Sequence, residues 1–353
     1  MKYSDLFSSI VEQWTAPNGH KVVFYVRSSP GTGKSSLSED ITKSMQKLKN
    51  IPDERVITIN PSLREPADFL GLPDLSGEVT RWVPPEDLYR IRKGQGPSIL
   101  RLEELSDADM SVQNPLCRII LDRCAGSMPL SEELYILCTG NRTEDRSGAG
   151  RLSTKLGNRM RTLEFDVSTA EWLDWARKNG VPATVQMFIK WDDSMLNAFD
   201  SKKDINPTPR SWADVSRIPF DSKVFSENLG VLAEHCKGSI GEEAASKFMG
   251  FLKLYRDLPD FNKIAKEPEK VKVSADKQTQ YVVVARIISA VQAAEPKKQA
   301  ALWEQYWIYL KRLDTKELRM MAVNALCGTC PAILRTNAWK EFAKEFAFVA
   351  GIK

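Results

Sequence analysis

The sequence predicts a parallel α/β sheet followed by a helical region, and three observations predict it. An apolar run, Val22-Val23-Phe24-Tyr25-Val26, leads straight into the Gly/Pro/Ser-rich stretch RSSPGTGKSS (27–36). Four further short apolar segments recur downstream, each separated by helical or irregular chain, which is the pattern of strands alternating with crossovers. From about residue 221 the chain changes to amphipathic helical stretches joined by polar linkers such as AKEPEKVKVSADKQ (265–278).

Composition bounds the rest. The 353 residues suffice for two or three domains with a well-buried core. Charged residues make up 27% and hydrophobics 42%, an ordinary globular mixture, and 50 basic against 46 acidic residues leave a net charge of +4. Such a slight basic excess does not mark a nucleic-acid binder. No apolar run approaches the roughly 20 residues that span a bilayer. MKYSDLFSSIVEQW is amphipathic and carries acids, unlike a signal peptide, so the expected location is the cytoplasm. Cys117, Cys124 and Cys138 lie in apolar stretches and read as core residues, while Cys327 and Cys330 form a single C-x-x-C without the second pair a zinc ribbon needs. The two histidines, His20 and His235, have no obvious partners.

The first segment is the most telling. Leu37, Ile41 and Met45 follow it at helical spacing, so strand, loop and helix succeed one another as in a phosphate-binding loop of the pattern G-x-x-x-x-G-K-[ST]. Ser28 holds the first position, which glycine usually fills; this is tolerable if the position does not need positive φ. Ser29, Pro30, Gly31, Thr32, Gly33, Lys34, Ser35 and Ser36 are the residues expected to surround a nucleotide. Backbone N–H groups of Gly31 through Ser35 would wrap the phosphates, Lys34 would reach the β- and γ-phosphates, and the Ser35 hydroxyl would bind Mg²⁺.

VITINPS (56–62) is the second strand, and the 71–96 segment GLPDLSGEVTRWVPPEDLYRIRKGQG is a long insert in which Trp82 and Tyr89 either grip a substrate or anchor the loop. SILRLEEL (98–105) ends in adjacent carboxylates, Glu103 and Glu104, suited to support a metal and to activate water. LYILCTGN (134–141) places Asn141 at a strand end, where it would hydrogen-bond the γ-phosphate or hold the attacking water. RTLEFDVS (161–168) is the fifth strand; Ser168 or Thr169 would cap the helix that follows.

In this order the segments resemble the AAA+ ATPases, specifically the MoxR-like branch, over residues 1 to 217. PGTGKS resembles the Walker A loop, ILRLEEL with SDADMSVQNPLCRIILDR the Walker B strand and its continuation, CTGN sensor 1, LSTKLGNRMRTLEF the segment carrying the arginine finger, and TPRS sensor 2. The resemblance implies a P-loop NTPase core (1–168), a small helical lid with sensor 2 (169–220) and, beyond it, a helical C-terminal domain (221–353). It implies ATP and Mg²⁺ as cofactors and a homo-oligomeric ring, a hexamer favoured, with nucleotide at subunit boundaries. Glu104 and Asn141 then serve water, Glu103 with Ser35 serves the metal, and Arg210 and a neighbour's Arg159 answer the γ-phosphate charge. Arg161 and Arg151 are the alternative fingers. A partner bearing a von Willebrand factor A domain also follows from the resemblance.

Besides Ser28, two residues of the 98–105 segment depart from the pattern. Glu103 stands where the family usually has aspartate, so slow turnover, or an ATP-binding switch without turnover, is a second expectation. Arg101, on the same buried strand, requires a partner. A nucleic-acid motor or loader remains a third reading. In the C-terminal region, AALWEQYWIYLKRL (300–313) puts Leu302, Tyr306 and Tyr309 on one stripe with Trp303 and Trp307 alongside, which either docks a partner or forms a helical core.

Overall fold

The computed structural model describes residues 1–145, 152–220, 222–256 and 261–346. Five parallel strands form the main sheet: β1 (Phe24–Ser28), β2 (Val56–Ile59), β3 (Ser98–Leu102), β4 (Leu134–Asn141) and β5 (Arg161–Glu164). Their spatial order is β2-β3-β4-β1-β5. The parallel α/β core that the sequence predicts is therefore present. β1 begins two residues later than its apolar run, because Val22 first closes a turn onto the Gly19 carbonyl (3.0 Å).

Side-chain alternation divides the sheet into two cores. Phe24 and Val26, Ile99, and Tyr135 and Leu137 pack against Leu6, Ile10 and Trp14 of helix α1 (Tyr3–Thr15) and Leu37, Ile41 and Met45 of helix α2 (Lys34–Lys49). The intervening residues Val23 and Tyr25, Leu100 and Leu102, and Ile136 and Cys138 pack on the other face against Val112, Leu116 and Ile119 of helix α3 (Met110–Asp122). Strands buried on both faces explain the continuous apolar runs in the sequence.

The chain order leaves an opening at one end of this sheet. From β1 the chain crosses to β2 at the edge, passing the places that β3 and β4 later fill, whereas β5 joins β1 on its other side. A reversal of this kind separates the loops at the strands' carboxyl ends and leaves a crevice there. Ser28 and Asn141, the last residues of β1 and β4, are paired in register at that point.

The chain divides into two compact units. The first comprises Met1–Asn179, Asp193–Ile218 and Gly238–Gly241, and the second Gly180–Asp192, Pro219–Lys237 and Glu242–Lys353. The stretch 169–220 thus contributes to both. In the first unit, helix α4 (Pro209–Val215) starts with a reciprocal capping box between Thr208 and Ser211, and buries Trp212, whose indole donates to the Met195 carbonyl (2.7 Å). The insert between β2 and β3 folds as a hairpin, Leu72–Asp74 with Arg81–Val83, outside the main sheet. Trp82 is half exposed on it, and Tyr89 is exposed beneath the Arg92 guanidinium (3.9 Å), so neither anchors the insert by burial.

In the second unit the aromatic stripe is core. Trp303, Tyr306, Trp307 and Tyr309 are all buried, Trp303 against Trp307 and Trp307 against Phe342. Cys330 is buried and Cys327 partly so, both as free thiols. No helix among the described residues is long and apolar enough to cross a membrane.

Ile136, wholly buried at the centre of the sheet, tests this packing. Ile136→Ala is expected to destabilise the sheet unit by about 3 kcal/mol through lost burial and a cavity, whereas Leu48→Ala, at an exposed position of α2, should change stability by less than about 0.5 kcal/mol. Urea unfolding followed by circular dichroism measures both.

Candidate phosphate-binding site

After Ser28 the chain turns through residues 29–33 into α2. Gly31 (φ 74°) and Gly33 (φ 105°) take the left-handed conformations; Ser28 does not. The first position of the motif therefore needs no glycine here. Ser28 is fully buried and shares a hydrogen bond with the Thr32 hydroxyl, which itself donates to the Ser29 carbonyl (2.9 Å). The loop is thus braced from within. No side chain caps α2, so the first N–H groups of this 16-residue helix remain available to an anion at its positive end. Gly31 meets a second constraint, since a Cβ there would lie 2.5 Å from the Thr208 hydroxyl oxygen.

Lys34 reaches back over the loop. Its ammonium donates to the carbonyls of Ser28 (3.0 Å) and Ser29 (2.8 Å) and to Oδ1 of Asn141 (2.9 Å). Burial, and then the nearby positive charge of Arg210, push its pKa down to about 8, against the opposing pull of Asp145, Asp107 and Glu104. Asn141 belongs to β4 itself and is not a turn residue. Gly140 before it leaves room for the Tyr25 ring, whose hydroxyl a Cβ would approach to 2.3 Å. The Asn141 backbone accepts no part in a turn; its N–H donates to Ser106 Oγ (2.8 Å), and its Nδ2 faces Asp107 (3.4 Å).

The two glutamates diverge. Ile99, Arg101 and Glu103 share the α2 face, and Glu103 is surrounded there by donors: Thr139 (2.7 Å), Arg101 (2.9 Å), Ser38 (2.9 Å) and Ser35 (3.3 Å). Burial raises the Glu103 pKa, but the Thr139 hydroxyl, the Arg101 guanidinium and Ser38 outweigh it, and the net shift is downward. Arg101 thus has the partner that its position demanded. Glu104 follows in the left-handed conformation (φ 55°), uncommon and strained for this residue type. Its carboxylate accepts from Asn60 Nδ2 (2.7 Å) at the end of β2.

The arginines fall into two groups. Arg210, exposed at the start of α4, is tied to the loop by its backbone, whose N–H donates to the Gly31 carbonyl (3.0 Å). Arg159 is not brought to this site. It precedes β5, whose first residue Arg161 is paired with Phe24 at the far end of β1, about 13 Å along the strand from Ser28 at roughly 3.3 Å per residue. Exposed there, Arg159 donates to the Lys155 carbonyl (2.7 Å). Arg161 donates to Gln13 (2.9 Å) and lies over the Phe24 ring. Arg151 lies outside the described residues.

Several site residues have no motif in the sequence. Ser38 is one turn beyond Ser35 on α2, and Thr139 is two residues before Asn141 on β4, so helical and strand periods place both on the Glu103 side. Asn60 had no such signal. The described residues contain no group of three His, Cys, Asp or Glu side chains that would hold a metal by themselves. A Mg²⁺ ion commonly takes only one or two carboxylates and completes its shell with phosphate and water, which the Ser35–Glu103 pair fits.

No protein-family model matches the chain, and no curated protein does. Among solved structures, NtrX from Brucella abortus is similar over 91% of this chain and 67% of its own, with 15% identity and a TM-score of 0.36. A mutant RuvB from Thermotoga maritima is similar over 87% and 85%, with 15% identity and a TM-score of 0.37. A DNA polymerase III gamma subunit-related protein from the same organism is similar over 95% and 92%, with 10% identity and a TM-score of 0.33. Likenesses this loose carry no functional argument, which rests on the site itself.

The Lys34 shift has a consequence of definite sign. With its folded pKa near 8 and the ordinary value at 10.5, the unfolded chain binds more protons between these values, so this group makes stability rise with pH across that window. Its penalty is present in full below about 8. Lys34→Met should remove that rise. Nucleotide-free melting curves of both proteins from pH 7 to 10.5 should differ in slope, wild type gaining stability as the pH rises and the variant lacking that gain.

Proposed function

We propose that this chain is a Mg²⁺-dependent ATPase of the AAA+ type, resembling the MoxR-like branch, that works as a homo-oligomeric ring and remodels a protein partner. The observation that carries this reading is the meeting of Lys34, Asn141, Ser35 and Glu103 around the start of α2. These side chains come from three different elements, and together they offer an ammonium, an amide, a hydroxyl and a carboxylate to one anionic ligand and its counter-ion.

In this reading the N–H groups from Gly31 to Ser35, with Ser29, Pro30, Thr32 and Ser36 beside them, hold the phosphates. Lys34 and Asn141 meet the γ-phosphate, and the Ser35 hydroxyl with Glu103 holds Mg²⁺. When bound, that ion supplies charge neutralisation between the phosphates. Glu104 is the general base, kept by Asn60 until water and nucleotide are aligned. Arg210, fixed to the loop through its own backbone, answers the phosphate charge from the same subunit.

Arg159 is the arginine finger of a neighbour. Its distance from its own loop and its exposure favour service in a second subunit's site; Arg161 is engaged on its own subunit and suits that role less well. A hexameric ring, a cytoplasmic location and a partner with a von Willebrand factor A domain belong to this proposal, as do the boundaries 1–168, 169–220 and 221–353. The half-exposed Trp82 and exposed Tyr89 on the insert are the side chains that would grip the partner.

A second reading is a switch that binds ATP with little turnover. The crowding of Glu103 by four donors favours it.

Two measurements separate these. Glu104→Gln should lower turnover by about 10²- to 10⁴-fold, as loss of a general base does, with ATP affinity retained; equal turnover in both proteins would remove Glu104 from the mechanism. Glu104→Gln and Arg159→Ala subunits, each inactive alone, should regain hydrolysis when mixed, because a mixed ring contains intact composite sites. Failure of mixing to restore activity, in rings verified by mass, would count against a finger supplied by a neighbour.

A further inference from the structure

Arg101 is an expensive residue in its place. It is on β3, in register with Thr58 of β2 and Leu137 of β4, and its side chain is only 14% exposed. Both Nε (3.3 Å) and Nη2 (2.9 Å) donate to Oε1 of Glu103. Taking two charges out of water is costly, and hydroxyl groups alone would hold a carboxylate. Ser38 and Thr139 already do so, one on each oxygen.

A carboxylate has about four lone-pair positions. Ser38 and the two Arg101 nitrogens crowd Oε1, while Thr139 and Ser35 take the positions of Oε2. The Ser35 contact, at 3.3 Å, is longer than an ordinary O–H···O bond. Unlike the equally long Arg101 Nε contact, which Nη2 backs at 2.9 Å, it has no second bond from the same residue and is the more readily given up; Ser35 is also the residue that faces the cation in the proposed function. Exchange of that single contact would free one position of Glu103 toward the cation site, while its contacts with Arg101, Ser38 and Thr139 persist. The Arg101 charge meanwhile cancels most of the field that Glu103 would present to a divalent ion.

We propose that Arg101 is a built-in counter-cation of Glu103. It fixes the carboxylate in place, and by offsetting its charge it lowers the affinity of the site for divalent cations. Arg101 is a positioning residue, acting through Glu103. The inference rests on the nucleotide-binding reading above and adds that nucleotide binding in this protein depends only weakly on Mg²⁺.

The test is calorimetric titration with ADP at Mg²⁺ concentrations from chelated to saturating, for wild type, Arg101→Met and Arg101→Lys. Arg101→Met should reach its half-maximal gain in ADP affinity at about tenfold lower Mg²⁺, as removal of a fixed charge near a divalent ion requires, and Arg101→Lys should stay close to wild type. A purely structural role would weaken ADP binding at every Mg²⁺ concentration and leave the midpoint unmoved, which overturns the proposal. Thr58→Glu supplies a second route should Arg101→Met not fold. Thr58 is exposed beside Arg101, and a carboxylate there should draw the guanidinium from Glu103 and move the midpoint the same way; an unmoved midpoint again overturns it. Absence of ADP binding in wild type at all Mg²⁺ concentrations would sink the nucleotide reading itself, a result distinct from binding with an unmoved midpoint.

Discussion

The site depends on the register between β1 and β4. Because Ser28 is paired with Asn141, the ammonium of Lys34 can lie across two strand ends, held by the carbonyls of one and the amide of the other. A slip of one residue would turn Asn141 to the opposite face of the sheet, away from α2. That register is fixed by burial on both faces, with Phe24 and Val26 on the α2 side and Val23 and Tyr25 on the other. A lysine kept partly buried, at a depressed pKa, is the electrostatic cost of that arrangement; an anionic ligand would restore its preference for the charged form.

The same alternation accounts for the division of labour between two adjacent acids. Glu103 continues the face of Ile99 and Arg101 and so meets α2, whereas Glu104 leaves the strand in a left-handed conformation and turns to Asn60. One carboxylate is enclosed by hydroxyls and a guanidinium with its pKa lowered. The other has a single amide partner and a strained backbone. Two identical side chains adjacent in sequence thereby acquire different surroundings, as the separate roles proposed for them require.

What the sequence made legible was local. The strand-loop-helix around Lys34, the four later strands and the ends that carry Glu103 and Asn141 each follow from composition and period over a few residues. Sheet order was not legible, because the crossover from β1 to β2 passes over places filled only later in the chain. Neither was the fate of the 180–192 stretch, which lies within the expected lid yet packs with the second unit; an amphipathic helix reveals that it has a buried face, not which neighbour buries it. The puzzle of Arg101 required only the period of two that links it to Glu103. The doubt over Ser28 required its backbone angle, which no pattern supplies. The aromatic stripe at 300–313, open between docking and core, proved to be core because partners from residues far along the chain, such as Phe342, cover it.

Equilibrium binding of a fluorescent ATP analogue to wild type and to Lys34→Ala decides whether this loop is a nucleotide site. Wild type should bind at micromolar concentration, and the variant should lose at least about a hundredfold in affinity, as expected when a charge-assisted contact to phosphate is removed, with its circular dichroism spectrum unchanged. Equal binding by both proteins, or none by wild type, would rule out a nucleotide site at this loop.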